Sequence, residues 1–244
     1  MKKILVLNAS PKKEKSHTLV ATKSFVDGLN FKNEYDVEYI NISDLNIKSC
    51  IGCLSCWART EGNCVIKNDD IPMLKDKILN CDIFILSYPL YFFGMPGTLK
   101  VLTDRMLSMM MTYKGQEAPL DGQSFHGLRY YNPNQKFIII TSCAYTDAEK
   151  IYEPLIMQYD YICGKNNYLF IPAAQLMTLM ELNNESKIEK FKSKFFNAGQ
   201  EYSLNYTLSE ETYSNLIKPP FTKGAYKVFL NNFWEGEKKK GEDI

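Results

Sequence analysis

Histidine is almost missing from this sequence. Of 244 residues, only His17 and His126 carry an imidazole. That leaves no convincing material for a histidine-based catalytic triad. Charge of one sign is missing too. Lys and Arg number 29 against 28 Asp and Glu, a net charge of +1. No global basic field therefore points to nucleic acid as a partner. The basic run Lys238–Lys240 lies in EGEKKKGEDI and reads as a solvated, fraying end. Long hydrophobic runs are also lacking, and no stretch approaches the length of a bilayer-spanning helix. MKKILVLNAS has the basic-then-apolar order of a secretion signal. Its apolar run is only Ile4–Leu7 before Asn8, too short for a signal core. The expectation is a cytoplasmic protein with no membrane partner, where the seven cysteines stay mostly reduced and form no disulfide framework.

What is present is ordinary for a folded domain: 45% apolar and 23% charged residues. The length suits one large α/β domain, or one domain with an appendage. Short apolar runs alternate with helical patterns. Strands are expected at Lys3–Asn8, Asp36–Ile42, Asp82–Ser87, Lys136–Ser142 and Asn167–Pro172. Helices are expected at Ser16–Leu29, Asp69–Asn80, Gly97–Met111, Asp147–Cys163 and Glu185–Tyr202. The runs ILVL, IFIL and FIII are continuous and apolar, as central strands of a parallel sheet are. The alternation predicts a flavodoxin-like, doubly wound five-stranded parallel sheet of order 2-1-3-4-5. Thr112–Gln135 and the stretch after residue 202 exceed a minimal unit of this kind. The expected organisation is a main domain over 1–202. A C-terminal extension, 203–244, packs on that domain or on a partner subunit.

In this topology a ligand sits at the carboxyl ends of the strands, at the switch point between strands one and three. The loop after strand one is NASPKKEKSHT, residues 8–18. It offers hydroxyls, lysines and a helix N-terminus, which together suit a phosphate. It contains neither G-x-x-x-x-G-K-[ST] nor G-x-G-x-x-G. Ser16 reads equally well as a plain helix N-cap. The loop after strand three, SYPLYFFGMPG (87–97), clusters Tyr88, Tyr91, Phe92 and Phe93 with shaping prolines and glycines. Flat apolar walls with free backbone amides suit a planar heteroaromatic ring, although an ordinary buried aromatic cluster would read the same. TSCAYT (141–146), after strand four, ends at the same edge.

These two loops resemble those of the NAD(P)H-dependent FMN reductases. NASPKKEKSHT is similar to their S-P-R-x-x-S-x-T phosphate loop, with Lys12 for the commoner arginine and His17 where asparagine is frequent. SYPLYFFGMPGTLKVLTDR is similar to their P-x-Y-x-x-x-x-P-x-x-L-K-x-x-x-D-R flavin loop and helix. The resemblance implies FMN, with its phosphate on Ser10, Lys12, Ser16, His17 and Thr18. The ring would lie on Pro89, Leu90, Tyr91, Phe92, Phe93 and Gly94, and against Thr141, Ser142, Cys143 and Ala144. It further implies NAD(P)H as co-substrate, an electron acceptor, and a homodimer or homotetramer whose second subunit completes the site. The flavin would carry the chemistry, so no side-chain nucleophile or base is required. Tyr145 and Trp57 are candidates for the acceptor side, and His126 reads as a surface residue or part of a lid. Asp104 and Arg105 read as helix-anchoring ion-pair partners.

CIGCLSCW and the later EGNC place Cys50, Cys53, Cys56 and Cys64 at C-x2-C-x2-C-x7-C spacing. Structural zinc favours two separated pairs and fits poorly. The compact triplet is the spacing of thiolates around a 4Fe–4S cluster, but the bacterial ferredoxin run ends differently, in x3-C-P. The stretch resembles the cysteine loop of the iron–sulfur flavoproteins, in which four cysteines after strand two bind 4Fe–4S near FMN. Other FMN-reductase relatives carry a similar C-x-G-C-x-x-C-W loop without a proven cluster. Two readings stand: a cluster on the four thiolates, or thiols packed near the flavin. Cys81, Cys143 and Cys163 read as buried packing residues. The expected function is an FMN-dependent NAD(P)H oxidoreductase acting on a quinone, nitro, azo or similar compound, or on a protein acceptor. The alternatives are an iron–sulfur electron-transfer flavoprotein and a flavin-binding redox sensor.

Overall fold

The structure is a computed structural model, and it describes residues 1–112, 126–146, 149–164, 167–175, 177, 185–219 and 221–241. Five parallel strands form one sheet: β1 (Lys2–Asn8), β2 (Tyr35–Asn41), β3 (Ile83–Pro89), β4 (Lys136–Ser142) and β5 (Asn167–Ile171). Their order is β2-β1-β3-β4-β5. The register sets Asn8 beside both Asn41 and Ser87, and Pro89 beside Ser142. The carboxyl ends of β1, β3 and β4 therefore meet along one edge, as predicted.

The strands are apolar throughout because the sheet is covered on both faces. Ile4, Val6, Ile83, Ile85, Ile138 and Ile140 face one layer, packed with Phe25 and Val26 of α1 (His17–Leu29) and Phe195 and Tyr202 of α6 (Glu185–Asn205). Leu5, Leu7, Leu86 and Ile139 face the other. There they meet Leu74 of α3 (Ile71–Leu79), Leu99 and Leu102 of α4 (Gly97–Arg105), and Tyr152 and Leu155 of α5 (Glu149–Cys163). One four-residue helix, α2 (Ser55–Ala58), precedes α3. The chain ends in α7 (Glu210–Leu216) and α8 (Lys223–Gly241).

Helices α1 and α6 cross unusually closely. A Cβ at Gly199 would stand 2.0 Å from the Phe25 carbonyl oxygen, and one at Gly28 would stand 1.9 Å from that of Phe196. Only glycine permits this approach, which presses α6 against the helix whose N-terminus opens the loop after β1.

Several boundaries depart from expectation. The helix predicted over Gly97–Met111 ends at Arg105 and continues as a 3-10 turn to Met109. Its following backbone groups are diverted to a returning segment: Met111 N–H donates to Gly127 O at 2.7 Å, and Arg129 N–H to Met109 O at 2.8 Å. The cysteine stretch, read as a loop, contains α2. α6 runs three residues past Tyr202, to Asn205. His126 is half-buried against Trp57, with ring centroids 5.1 Å apart, rather than a surface residue. Residues 113–125 of the surplus segment and the expected helix start at 147–148 lie outside the described residues. Among the described residues no helix is long and apolar enough to cross a membrane.

Candidate functional site

The loop after β1 is built on buried polar groups. Asn8 hands its amide to Asn41 Oδ1 at 2.8 Å and to Lys13 O at 3.3 Å, while its own Oδ1 accepts from Ser10 N–H at 3.2 Å. Ser10 Oγ accepts from Lys12 N–H at 3.3 Å. Ser16 caps α1 by accepting from Leu19 N–H at 3.3 Å, so the N-cap expectation holds. Ser10, Ser16 and Thr18 are buried, Lys12 is exposed and His17 is half-buried. The predicted phosphate residues thus share one turn at a helix N-terminus, where the helix dipole favours an anion. Lys13 is drawn aside by an ion pair with Asp44.

Two buried hydroxyl pairs tie α1 to the sheet edge. Thr18 Oγ1 lies 2.6 Å from Ser142 Oγ, and Thr22 Oγ1 lies 2.8 Å from Ser87 Oγ. The loop after β1 is therefore fixed relative to both other loops. Sequence reading named Thr18 and Ser142 separately, and the structure joins them.

The loop after β3 turns on two consecutive left-handed residues. Phe92 and Phe93 have φ of 48° and 63°. Tyr91 and Gly94 close the turn with reciprocal backbone hydrogen bonds, both 3.0 Å. Positive φ at both central positions is the geometry of a type I′ turn, which normally takes Asn-Gly. Two phenylalanines here hold strained backbone, of order 1–3 kcal/mol each. The strain displays rings: Phe92 is 101% exposed, and Tyr91, Phe93 and Tyr145 are about half exposed. Phe93 stacks toward Tyr145, with centroids 6.5 Å apart and planes 17° from parallel. Below them, Leu90 N–H donates to Ser142 O at 2.7 Å.

The loop after β4 is held from several sides. Thr141 is fully buried, and its carbonyl accepts from Tyr152 OH at 3.3 Å. Cys143 N–H donates to Ile171 O at 3.0 Å, and burial pushes its thiol pKa up. The Ala144 carbonyl accepts from the hydroxyl of Tyr226, in the first turn of α8. No local pattern could have pointed to Tyr226, which lies 82 positions away in sequence.

The cysteine stretch lies beside the far end of α4. Cys50, Cys53, Cys56 and Cys64 line one small pocket together with Ile66, Leu107 and Arg105. Gly52 and Leu54 adopt φ of 66° and 52°, which curls the chain around the sulfurs. Gly52 N–H donates to Cys50 Sγ at 3.5 Å. The Ser55 hydroxyl and amide hold the Cys53 thiol below its ordinary range. Cys56 is pushed up by burial and then by the other three sulfurs, so the four stand within electrostatic reach of one another. Cys81 and Cys163, by contrast, are pushed by burial up to about 11 and about 12, which suits packing residues. Among the described residues no three ligating side chains are close enough to hold a single ion. A cluster needs wider spacing, since each thiolate takes its own iron.

Arg105 closes this loop. It is 1% exposed and forms an ion pair with Asp69, whose side chain is fully buried. Nη1 donates to Asp69 Oδ2 at 2.5 Å and to Lys48 O at 2.7 Å; Nη2 donates to Ile66 O at 2.9 Å and to Asp69 Oδ1 at 3.4 Å. One side chain thus grips the chain before Cys50 and after Cys64. Asp104, its neighbour, pairs instead with Lys100 on the surface, so the two residues expected to anchor the helix do so with different partners. Trp57 adds a bond from Nε1–H to Leu107 O at 3.0 Å.

Comparison with known proteins bears on the fold. A family model described as flavodoxin-like fold matches residues 2–159. The chain is 33% identical over 107 residues to an iron–sulfur flavoprotein of Clostridioides difficile strain 630, covering 44% of this chain and 47% of that one. It is 24% identical over 133 residues to FMN-dependent NADH:quinone oxidoreductase 2 of Pseudomonas fluorescens strain Pf0-1, covering 50% and 64% respectively. The chain spans about half the length of the curated relatives it matches. Its fold is like that of the NAD(P)H:quinone oxidoreductase from Methanothermobacter marburgensis, with a TM-score of 0.59 at 16% identity over 82% of this chain and 98% of that one.

Proposed function

The chain belongs to the flavodoxin-like fold family, and from that premise we propose that it is an FMN-dependent NAD(P)H oxidoreductase. Its acceptor is a quinone, nitro, azo or similar compound, or a redox protein. The observation that carries this is the convergence of three loops on one sheet edge: a polar turn at a helix N-terminus, an exposed ring platform, and a buttressed backbone after β4. Bound there, FMN would supply hydride acceptance and electron release. The chain's own work is to position. Ser10, Lys12, Ser16, His17 and Thr18 would hold the phosphate at the N-terminus of α1. Pro89 to Gly94 present a flat apolar wall, and Tyr91, Phe92, Phe93 and Tyr145 keep water from one face. The stretch Thr141, Ser142, Cys143 and Ala144 would border the ring. The proposed main domain, expected to end at 202, ends with α6 at Asn205, and the extension after it packs on that domain or on a partner subunit. The proposed setting is the cytoplasm, and the proposed assembly is a homodimer or homotetramer.

Two measurements test this. The purified chain should carry or bind FMN and oxidise NADH or NADPH with an artificial acceptor; a chain that does not bind FMN refutes the proposal. Ser10→Ala with Thr18→Ala should weaken FMN binding at least about 100-fold, as loss of two hydrogen bonds to a charged group does. Unchanged affinity would move the phosphate elsewhere.

We further propose that Cys50, Cys53, Cys56 and Cys64 hold a 4Fe–4S cluster. Four sulfurs share one pocket. In addition, the Nε of Arg105 is buried without a hydrogen-bond partner among the described residues. Such a group is costly unless something answers it. Iron and sulfide assays after anaerobic purification decide the matter: about four of each per chain support the cluster, and flavin absorption alone rejects it.

A further inference from the structure

We propose that Arg105 is a positioning residue for the four-thiolate centre, donating its Nε–H toward the Cys64 sulfur and raising the centre's reduction potential. The inference rests on the cluster reading above. Its basis is an inventory of donors. A guanidinium has five N–H groups in a fixed fork. Four are accounted for, two on the Asp69 carboxylate and one each on Lys48 O and Ile66 O. The pairing with Asp69 runs through the two terminal nitrogens, which leaves the flank of the fork, Nε, unused. That atom is buried and without a hydrogen-bond partner among the described residues. The same side chain lines the pocket formed by Cys50, Cys53, Cys56 and Cys64. Cys64 lies within its electrostatic and hydrogen-bonding reach. The four bonds account for a loop staple, and the fifth donor is left over in a side chain that lines the thiol pocket.

The placement has a directional consequence. The Asp69–Arg105 pair is a buried dipole with its positive end toward the sulfurs. Reduction adds negative charge to the centre, so a positive neighbour favours the reduced form, and hydrogen bonds to the sulfurs are an established lever on potential. The carboxylate behind the guanidinium weakens this effect. The two partners therefore act on the potential in opposite senses, although loss of either loosens the same loop.

The test compares wild type, Arg105→Gln, Arg105→Lys and Asp69→Asn after anaerobic reconstitution with iron and sulfide. Iron content, the cluster potential and the FMN potential are read for each. Arg105→Gln should shift the ratio of reduced to oxidised cluster at fixed potential about tenfold toward oxidised, a fall of about 59 mV for a one-electron couple. Asp69→Asn should shift it the other way, with the FMN potential unmoved in both. Arg105→Lys keeps the charge and loses the fork, and should fall between wild type and Arg105→Gln. A wild-type chain that takes up no iron overturns the cluster reading and this inference together. A loaded wild type with equal potentials across the variants overturns the inference alone. So does failure of all three variants to fold, which assigns the pair to stability.

Discussion

Replacing Gly199 by alanine tests the closest contact in the fold. The added methyl would stand 2.0 Å from the Phe25 carbonyl oxygen and 2.7 Å from the Leu29 nitrogen. Both neighbours are backbone of α1, so no side chain can swing away. To reach even a tight contact, the helices must part by about 1 Å, and a gap of that size forfeits a quarter to a half of each pair's dispersion attraction. Overpacking of this kind costs about 1–3 kcal/mol. The absence of a flexible neighbour places Gly199→Ala at the upper end, about 3 kcal/mol. Alanine recovers about 1 kcal/mol through helix propensity. The net loss is about 2 kcal/mol, or roughly 4–8 °C in Tm for a chain of this size. Calorimetry and urea unfolding would measure it. Gly28→Ala forces the same parting, because its methyl would meet Phe196 O at 1.9 Å. The double variant should therefore cost clearly less than the sum of the singles, as coupled neighbours do. A wild-type Tm for Gly199→Ala, or strict additivity in the pair, would refute the close crossing. FMN affinity should fall alongside, because parting the helices pulls on the Thr18–Ser142 and Thr22–Ser87 bonds.

Replacing Phe92-Phe93 by Asn-Gly suits the positive φ of both positions. Stability should rise by about 2–6 kcal/mol as strain at both positions is relieved, while FMN affinity falls at least about tenfold with loss of the ring platform. Titration of apoprotein with FMN checks this, and unchanged affinity would remove those rings from the site. The Asp69–Arg105 pair also sets an acid limit. Burial acts to raise the Asp69 carboxyl, but bonds from Arg105 and from the Lys48 and Ile71 amides outweigh it and hold its pKa below the ordinary value. A depressed carboxylate contributes stability that is complete above its unfolded pKa, about 3.9, and is lost as pH falls through the folded value. Asp69→Asn should lose about 3 kcal/mol at pH 7, as breaking a buried pair does, and should show a flatter stability profile below about pH 4. An acid limb as steep as wild type would contradict the assignment.

Sheet order and strand positions were legible because both faces of this sheet are covered. Continuous runs such as ILVL and FIII leave few other structures to which they belong. The polar turn after β1 was legible for a local reason as well: Ser10, Ser16 and Thr18 lie within nine residues of each other. Elsewhere the deciding partners are far apart. Arg105 meets Asp69 across 36 positions and Tyr226 meets Ala144 across 82, and no periodicity marks either pair. The helix predicted to Met111 was cut short by backbone bonds to Gly127 and Arg129, which are equally nonlocal. The turn at Phe92-Phe93 was hidden for another reason. Asparagine and glycine advertise positive φ, and phenylalanine does not.

The bond from Tyr226 to Ala144 sets an order of assembly. A nascent chain emerges N-terminus first, and its strands and the ring-bearing turn are all present well before residue 226 has been added. Until α8 is made, the carbonyl of Ala144 lacks its hydroxyl partner and the loop after β4 is without its brace from the α8 side. Partial translation products would thus present an edge that is not yet closed, the kind of incompletely packed surface to which chaperones respond. Closure of this sheet edge is a late event in the life of this chain, although most of the residues that compose it are made early.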